Sequence, residues 1–257
     1  NPLKPAYRPE LPEPKGELRS MSWVLYGEGI YQIGQNMAGF SYDNETPRHN
    51  VFLNGFRLAD RLVTNVEFLD FIKDGGYDNP GLWLADGWSM VKSKNWSHPL
   101  YWHRGDDGWM QFTLSGMRSL KPAEPVCHVS FYEADAYARW TGKRLPLESE
   151  VEVQLAKKSV KGTFLESGLL HPAPARRAAQ WYGDLWCWTQ SAHLPYPGFK
   201  PLQGSIGEYN GKFMSNQMVL KGGSCVTPSD HIRDSYRNFY YPDERWAFTG
   251  IRLADDI

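Results

Sequence analysis

The sequence predicts an α+β domain with two or three short helices, short antiparallel strands and much irregular structure. Three observations carry that reading. Aromatic residues fill 14% of the 257 positions, including 11 Trp and 14 Tyr, alongside 24 Gly and 18 Pro. Rings at that density among so many turn residues favour short elements pinned by large side chains. Two helix starts are marked by capping boxes, in which a Ser or Thr precedes a Glu by three residues. Strands are marked by short alternating runs between glycines.

Taken in order, residues 1–20 begin "NPLKPAYRPELPEPKGE", with five prolines in seventeen residues, which reads as an extended linker. Because the sequence starts at Asn1 without a Met, a preceding segment is expected, and the domain proper is placed at residues 21–257. "SWVLYGEGIYQIG" at 22–34 reads as a hairpin, and "HNVFLNGFRLADRLV" at 49–63 as a strand or strand pair. Thr64 with Glu67 starts a helix with Phe68, Phe71 and Ile72 on its apolar face, ended by Gly75 and Gly76. Residues 77–120 show little periodicity and read as long ordered loops pinned by Trp83, Trp88, Trp96, Trp102 and Trp109. Ser130 with Glu133 opens a second helix through Trp140, stopping at Gly142. A third is expected after Pro146, where Glu148, Glu150 and Glu152 read as solvated charges favouring the helix dipole. Residues 159–180 read as a basic loop, followed by short strands around "GDLWCWTQS", "MVLKGGSCV" and "TGIRLA".

Hydrophobic residues at 41% allow a sizeable core. With 28 basic and 29 acidic side chains, the chain lacks the basic excess that nucleic acids or anionic membranes demand. The three cysteines, Cys127, Cys187 and Cys225, are odd in number and form no CxxC pair. At least one thiol is therefore unpaired, and with no leader or apolar run of about eighteen residues a cytoplasmic location is expected. The seven histidines show no HxxxH or HxH spacing, so no transition-metal site is expected wholly within the chain. "KGGSCVTPSDHIR" gathers Ser224, Cys225, Asp230 and His231 but lacks a GxSxG elbow, and reads as a tight glycine turn.

"SYRNFYYPDERWAFTGIRLA" at 235–254 is the densest mixture of chemistry. Rings can enclose an alkylated ammonium, an amide can anchor a polar head, and an arginine can hold a carboxylate. Arg237, Asn238, Phe239, Tyr240 and Tyr241 thus read either as a site for a small zwitterion or as a structural arginine–aromatic stack.

"GKRLPLESEVE" (142–152), "GDLWCWTQS" (183–191), "VLKGGS" (219–224) and "FTGIRLA" (248–254) resemble the formylglycine-generating-enzyme/sulfatase-modifying domain. That resemblance implies a C-type-lectin-like core. Longer stretches, among them "FSYDNETPRHNVFLNGFRLADRLVTNVEFLDFIKDGGY", "PVCHVSFYEADAYARWTGKRLP", "LPYPGF" and "EYNGKFMSNQMVLKGGSC", resemble the C-terminal half of ergothioneine-biosynthesis sulfoxide synthases, the EgtB family.

This second resemblance implies a non-haem Fe(II), O₂-dependent enzyme that joins a thiol to the imidazole of Nα-trimethylhistidine. It places the three histidine ligands of the iron on an N-terminal DinB-like domain, joined near residues 1–9. It also implies that Asn238 and Phe239 line the trimethylhistidine pocket, with Arg237 and Tyr241 in the same wall. Tyr240 and Glu244 stand where users of γ-glutamylcysteine carry Asp and Arg, which favours cysteine or another small thiol. Tyr209 is the nearest match to an active-site tyrosine, and Asp184 to a calcium ligand of related lectin-like domains.

Two positions depart from the family pattern: Val151 replaces a tryptophan and Cys187 a glutamate. Two alternatives stand beside this reading. One is a non-catalytic lectin-like module binding a ligand or partner. The other is formylglycine generation on a sulfatase cysteine, which relies on a cysteine pair after "GGS" where this chain has only Cys225.

Overall fold

The computed structural model describes residues 5–36, 39–106, 108–176 and 179–257. Residues 1–4 of the linker lie outside them. From residue 5 the chain packs against the domain: the Tyr7 and Arg8 amides both donate to the Leu114 carbonyl at 2.9 and 3.0 Å. Farther along, Arg19 pairs with Asp60 at 2.8 Å.

β1 (Trp23–Tyr26) and β2 (Gly29–Ile33) are followed by β3 (His49–Leu53) and β4 (Phe56–Ala59). The hairpin expected at 22–34 does not form. Instead β1 pairs with β4 and β2 with β3, in one register running from Trp23 opposite Ala59 to Ile33 opposite His49. Gly27 and Gly29 interrupt the ladder without reversing the chain, so alternation alone mistakes two segments of one ribbon arm for a hairpin.

α1 (Asn65–Lys73) follows its capping signal. The Glu67 carboxylate accepts from the Thr64 amide and hydroxyl at 2.9 and 2.7 Å, and from the Arg61 guanidinium. Phe68 and Phe71 are fully buried. The segment expected to be loops holds α2 (Ala85–Lys94) and a three-stranded meander of β5 (Trp102–Gly105), β6 (Gly108–Thr113) and β7 (Gly116–Ser119). α2, a fourth helix, escapes periodicity because its buried face carries Gly87. A Cβ there would come within 2.9 Å of the Tyr132 ring, so close approach replaces an apolar stripe. The five tryptophans do act as pins: Trp83 and Trp102 are buried, and Trp88, Trp96 and Trp109 pack on the same core.

α3 (Phe131–Trp140) carries the more complete capping box: the Glu133 amide donates to Ser130 Oγ at 3.1 Å, and the Glu133 carboxylate accepts from the Ser130 amide at 2.8 Å. α4 (Glu148–Leu155) overturns an expectation, because Glu148, Glu150 and Glu152 are buried rather than solvated. Each meets a cation from elsewhere: Arg237 at 2.8 Å, Arg144 at 2.7 Å and Lys221 at 2.9 Å. A helix surrounded on every side by the fold cannot leave its charges in water, so it pairs them.

β8 (Gly162–Thr163) and β9 (Tyr182–Gly183) make a short parallel pair. β10 (Trp186–Ala192), β11 (Met218–Lys221), β12 (Asn238–Tyr240) and β13 (Thr249–Gly250) form one sheet in the order β12-β11-β10-β13. Trp188 is fully buried and donates its indole N–H to the Val129 carbonyl at 2.9 Å. The stretch around "TGIRLA", expected as a short strand, is divided between sheets. β13 pairs with β10, whereas β14 (Ala254–Asp256) pairs with β4. Between them the buried Arg252 guanidinium donates to the Ala59 and Gln180 carbonyls, satisfying backbone groups where the sheets part. Cys187 lies against that guanidinium and donates its thiol to the Leu185 carbonyl. Among the described residues no helix is long and apolar enough to cross a membrane.

Replacing Glu152 by Gln leaves the fully buried Lys221 ammonium without its charge partner and is expected to cost about 3–5 kcal/mol of unfolding free energy. The Glu152→Leu/Lys221→Met double variant, which removes both charges, is expected to lose far less. Urea midpoints of the three proteins check this, and equal losses in the single and double variants would contradict it.

Candidate functional site

The aromatic stretch is held from behind by two glutamates. Glu45, fully buried, accepts from the Arg233 guanidinium (Nε at 2.7 Å), from the Ser235 hydroxyl at 2.6 Å and from the Tyr42 amide at 2.9 Å. Glu148 takes Arg237 Nε and Nη2 at 2.8 and 3.1 Å. The remaining reach of Arg237 goes to the Asn44 and Leu194 carbonyls at 2.7 and 2.9 Å, and its guanidinium lies 4.0 Å above the Tyr196 ring. Arg237, its side chain fully buried, is thus held as a structural arginine–aromatic stack.

Beyond Arg237 the chain becomes β12, the edge strand of its sheet, with Asn238, Phe239 and Tyr240 opposite Leu220, Val219 and Met218. Alternation sends Asn238 and Tyr240 to one face and Phe239 to the other. Asn238 Oδ1 accepts the Phe239 amide at 2.9 Å, which orients its side-chain amide. The Phe239 ring stacks on His193, with centroids 4.0 Å apart and planes 13° apart, and Phe213 approaches it at 6.2 Å. Tyr240 meets Trp246 edge-on at 5.3 Å. Tyr241 is half-exposed, and the Glu244 amide closes a turn onto its carbonyl at 3.1 Å.

Beside this strand opens a cleft of about 670 Å³. The first residues of α2 (Ala85, Asp86) and α3 (Phe131, Tyr132), His193 and Leu194 after β10, Gln217 and Met218 at β11, and Tyr241 with Pro242 all line it. Burial, then the Asp86 and Asp243 carboxylates, push the Tyr132 hydroxyl above the usual phenol range. The cleft thus joins aromatic surface to negative charge, an environment suited to an organic cation. His193 lies in the opposite regime: burial, reinforced by the Arg237 charge, pulls its pKa down to about 3, so the ring is neutral at ordinary pH.

The other expected site residues lie apart. Tyr209 is 71% exposed in a loop of short turns, the same loop whose Phe213 nears Phe239. Asp184 is buried beside a separate cavity of about 360 Å³, where burial raises its carboxyl to about 6 and Oδ1 accepts the Ala173 amide at 2.8 Å. Among the described residues no group of three His, Cys, Asp or Glu converges. The lone Asp184 carboxylate does not fit the six to eight oxygens calcium takes, and the histidines do not fit a three-histidine iron site. Burial pushes the Cys127 and Cys225 thiols well above their usual range, which makes them poor nucleophiles.

Four contributors carried no sequence signal as site residues. Asp86 and Tyr132 reach the cleft by helix placement, Glu148 by a pairing over 89 positions, and His193 as a lone histidine with no motif around it.

Residues 8–182 match the Sulfatase-modifying factor enzyme 1-like domain. A hercynine oxygenase of Mycolicibacterium smegmatis is 36% identical over 84% of this chain and 56% of its own length. The chain thus spans little more than half of that relative. A formylglycine-generating enzyme of Streptomyces coelicolor is 34% identical over 85% of this chain and 83% of its own. The solved structure of Treponema denticola variable protein 1 covers 92% of this chain with a TM-score of 0.60 at 15% identity, a likeness of fold.

Arg237→Ala is expected to cost about 3–5 kcal/mol because it strands Glu148 among buried groups. Tyr241→Ala, at a position 50% exposed, is expected to stay within about 0.5 kcal/mol of the parent. Chemical denaturation of both variants distinguishes the strut from the cleft wall.

Proposed function

This chain belongs to the sulfatase-modifying factor enzyme 1-like family, and we propose that it is the substrate-binding half of a sulfoxide synthase of ergothioneine biosynthesis. In this reading residues 1–20 lead from an iron-binding DinB-like domain into the unit at 21–257. The ligand is Nα-trimethylhistidine, the co-substrates are O₂ and a small thiol, and the product is the sulfoxide. The chemistry needs Fe(II), and the residues described do not fit that ion, so its ligands are assigned to the DinB-like domain.

What supports the reading is the pairing of rings with carboxylates beside β12. A trimethylammonium group has no N–H to donate. It is bound by dispersion and by the negative faces of rings, with nearby carboxylates supplying a charge that needs no hydrogen bond. Phe131, Tyr132 and Tyr241 with Asp86 form such a surface, and the similarity to a protein named hercynine oxygenase points the same way. Asn238 and Phe239 are assigned to line the Nα-trimethylhistidine pocket. Tyr240 and Glu244 are assigned to the thiol side, where they replace the Asp and Arg implied for users of γ-glutamylcysteine and favour cysteine or a similar small thiol. Tyr209, on the loop that carries Phe213, is assigned to reach the reacting centre from solvent. Formylglycine generation has a relative of similar identity, but it lacks an accessible thiol here, because Cys225 is fully buried with its thiol pKa pushed up.

Calorimetry with Nα-trimethylhistidine is expected to show binding to the full-length protein and at least about tenfold weaker binding to Asn238→Ala, the loss of one hydrogen bond to a charged or polar head. Equal affinity in both would remove Asn238 from the site. Binding without sulfoxide formation in the presence of Fe(II), O₂ and cysteine would favour the non-catalytic module instead.

A further inference from the structure

His193 is 1% exposed, yet it lines the cleft and makes contacts on two sides. One face stacks on Phe239, and Nε2 lies 3.4 Å from Asn44 Nδ2. The same amide nitrogen is 3.5 Å from the Arg237 carbonyl, which can only accept. That carbonyl fixes which way the Asn44 amide points, so the amide donates to Nε2 and Nε2 carries a lone pair. In a neutral imidazole the proton then sits on Nδ1. Nδ1 is buried without a hydrogen-bond partner. The Phe213 carbonyl favours the protonated ring but does not close a hydrogen bond of normal geometry.

A buried donor whose one nearby acceptor, the Phe213 carbonyl, is poorly placed is uncommon enough to require an explanation. We infer that the His193 Nδ1–H donates to an anionic acceptor, a carboxylate, of the small molecule held in the cleft. The positive Arg237 guanidinium behind the ring favours an anion over a neutral acceptor at that point, while Asp86 and Asp243 favour the cationic end toward Tyr132. The cleft is thereby polarised to hold a zwitterion with its carboxylate at His193. The imidazole also supports Phe239 by stacking, so one residue both reads the carboxylate and positions the ring that faces the ligand. This inference rests on the proposed function for the identity of the ligand.

The test compares Nα-trimethylhistidine with its decarboxylated analogue, Nα-trimethylhistamine, by calorimetry on the full-length protein. The parent is expected to prefer the carboxylate by about tenfold to hundredfold, the range of a hydrogen bond to a charged group. His193→Phe keeps a ring against Phe239 and removes the donor, so the preference is expected to fall to near unity with little change in affinity for the analogue. His193→Asn, whose amide nitrogen stands near the place of Nδ1, is expected to recover part of it, and melting curves establish that both variants fold. Absence of binding by either ligand to the parent overturns the functional reading and this assignment with it. Binding with an undiminished preference in His193→Phe overturns the His193 assignment alone.

Discussion

Three carboxylates on one buried helix organise this molecule. α4 cannot expose Glu148, Glu150 or Glu152, so the fold brings a cation to each: Arg237 from the approach to β12, Arg144 from the α3–α4 connection, and Lys221 from the end of β11. Such pairs add little net stability over apolar packing, because desolvation offsets most of their attraction. Their effect is on geometry. A buried charge tolerates only the arrangement that meets it, and the three pairs tie one helix to three separate segments of chain. The Glu152 carboxylate also accepts the Gly34 amide at 2.5 Å, which adds the first ribbon to the same hub.

The candidate site inherits its shape from one of these pairs. Arg237 is immobilised by Glu148, two carbonyls and the Tyr196 ring, and the next residue begins β12. The edge strand is thus set by a residue that never faces the cleft. Burial, reinforced by the same guanidinium, keeps His193 neutral, and the Arg237 carbonyl orients the Asn44 amide that touches His193. One buried arginine therefore sets a strand and a tautomer and contributes to a charge state.

The two positions that the resemblance marks as departures fall inside this packed region. Val151 is buried in the main core on α4, and Cys187 sits beside Arg252 on β10. Where a glutamate would neutralise that guanidinium, the thiol does not. Arg252 instead relies on the Ala59 and Gln180 carbonyls and on the Trp181 ring 4.7 Å away, and burial pulls its pKa below the usual arginine value.

The features legible in the sequence were local ones. Thr64–Glu67 and Ser130–Glu133 marked α1 and α3 because capping hydrogen bonds close within four residues, wherever the helix later packs. Ring and glycine content indicated short elements and much irregular chain, and the motif stretches indicated the family. The stretch at 235–241 was legible as chemistry but not as roles, since Arg237 and Asn238 look equally able to meet a ligand in one dimension. Only the tertiary structure decided that Arg237 is a strut, that the α4 glutamates are buried, that β1 pairs with β4, and that a lone His193 backs the cleft. Each of these depends on a partner many residues away, Glu148 to Arg237 being 89 positions. The strength of an electrostatic or hydrogen-bonding group is set by burial and by what stands opposite it, and neither is a property of the neighbouring letters.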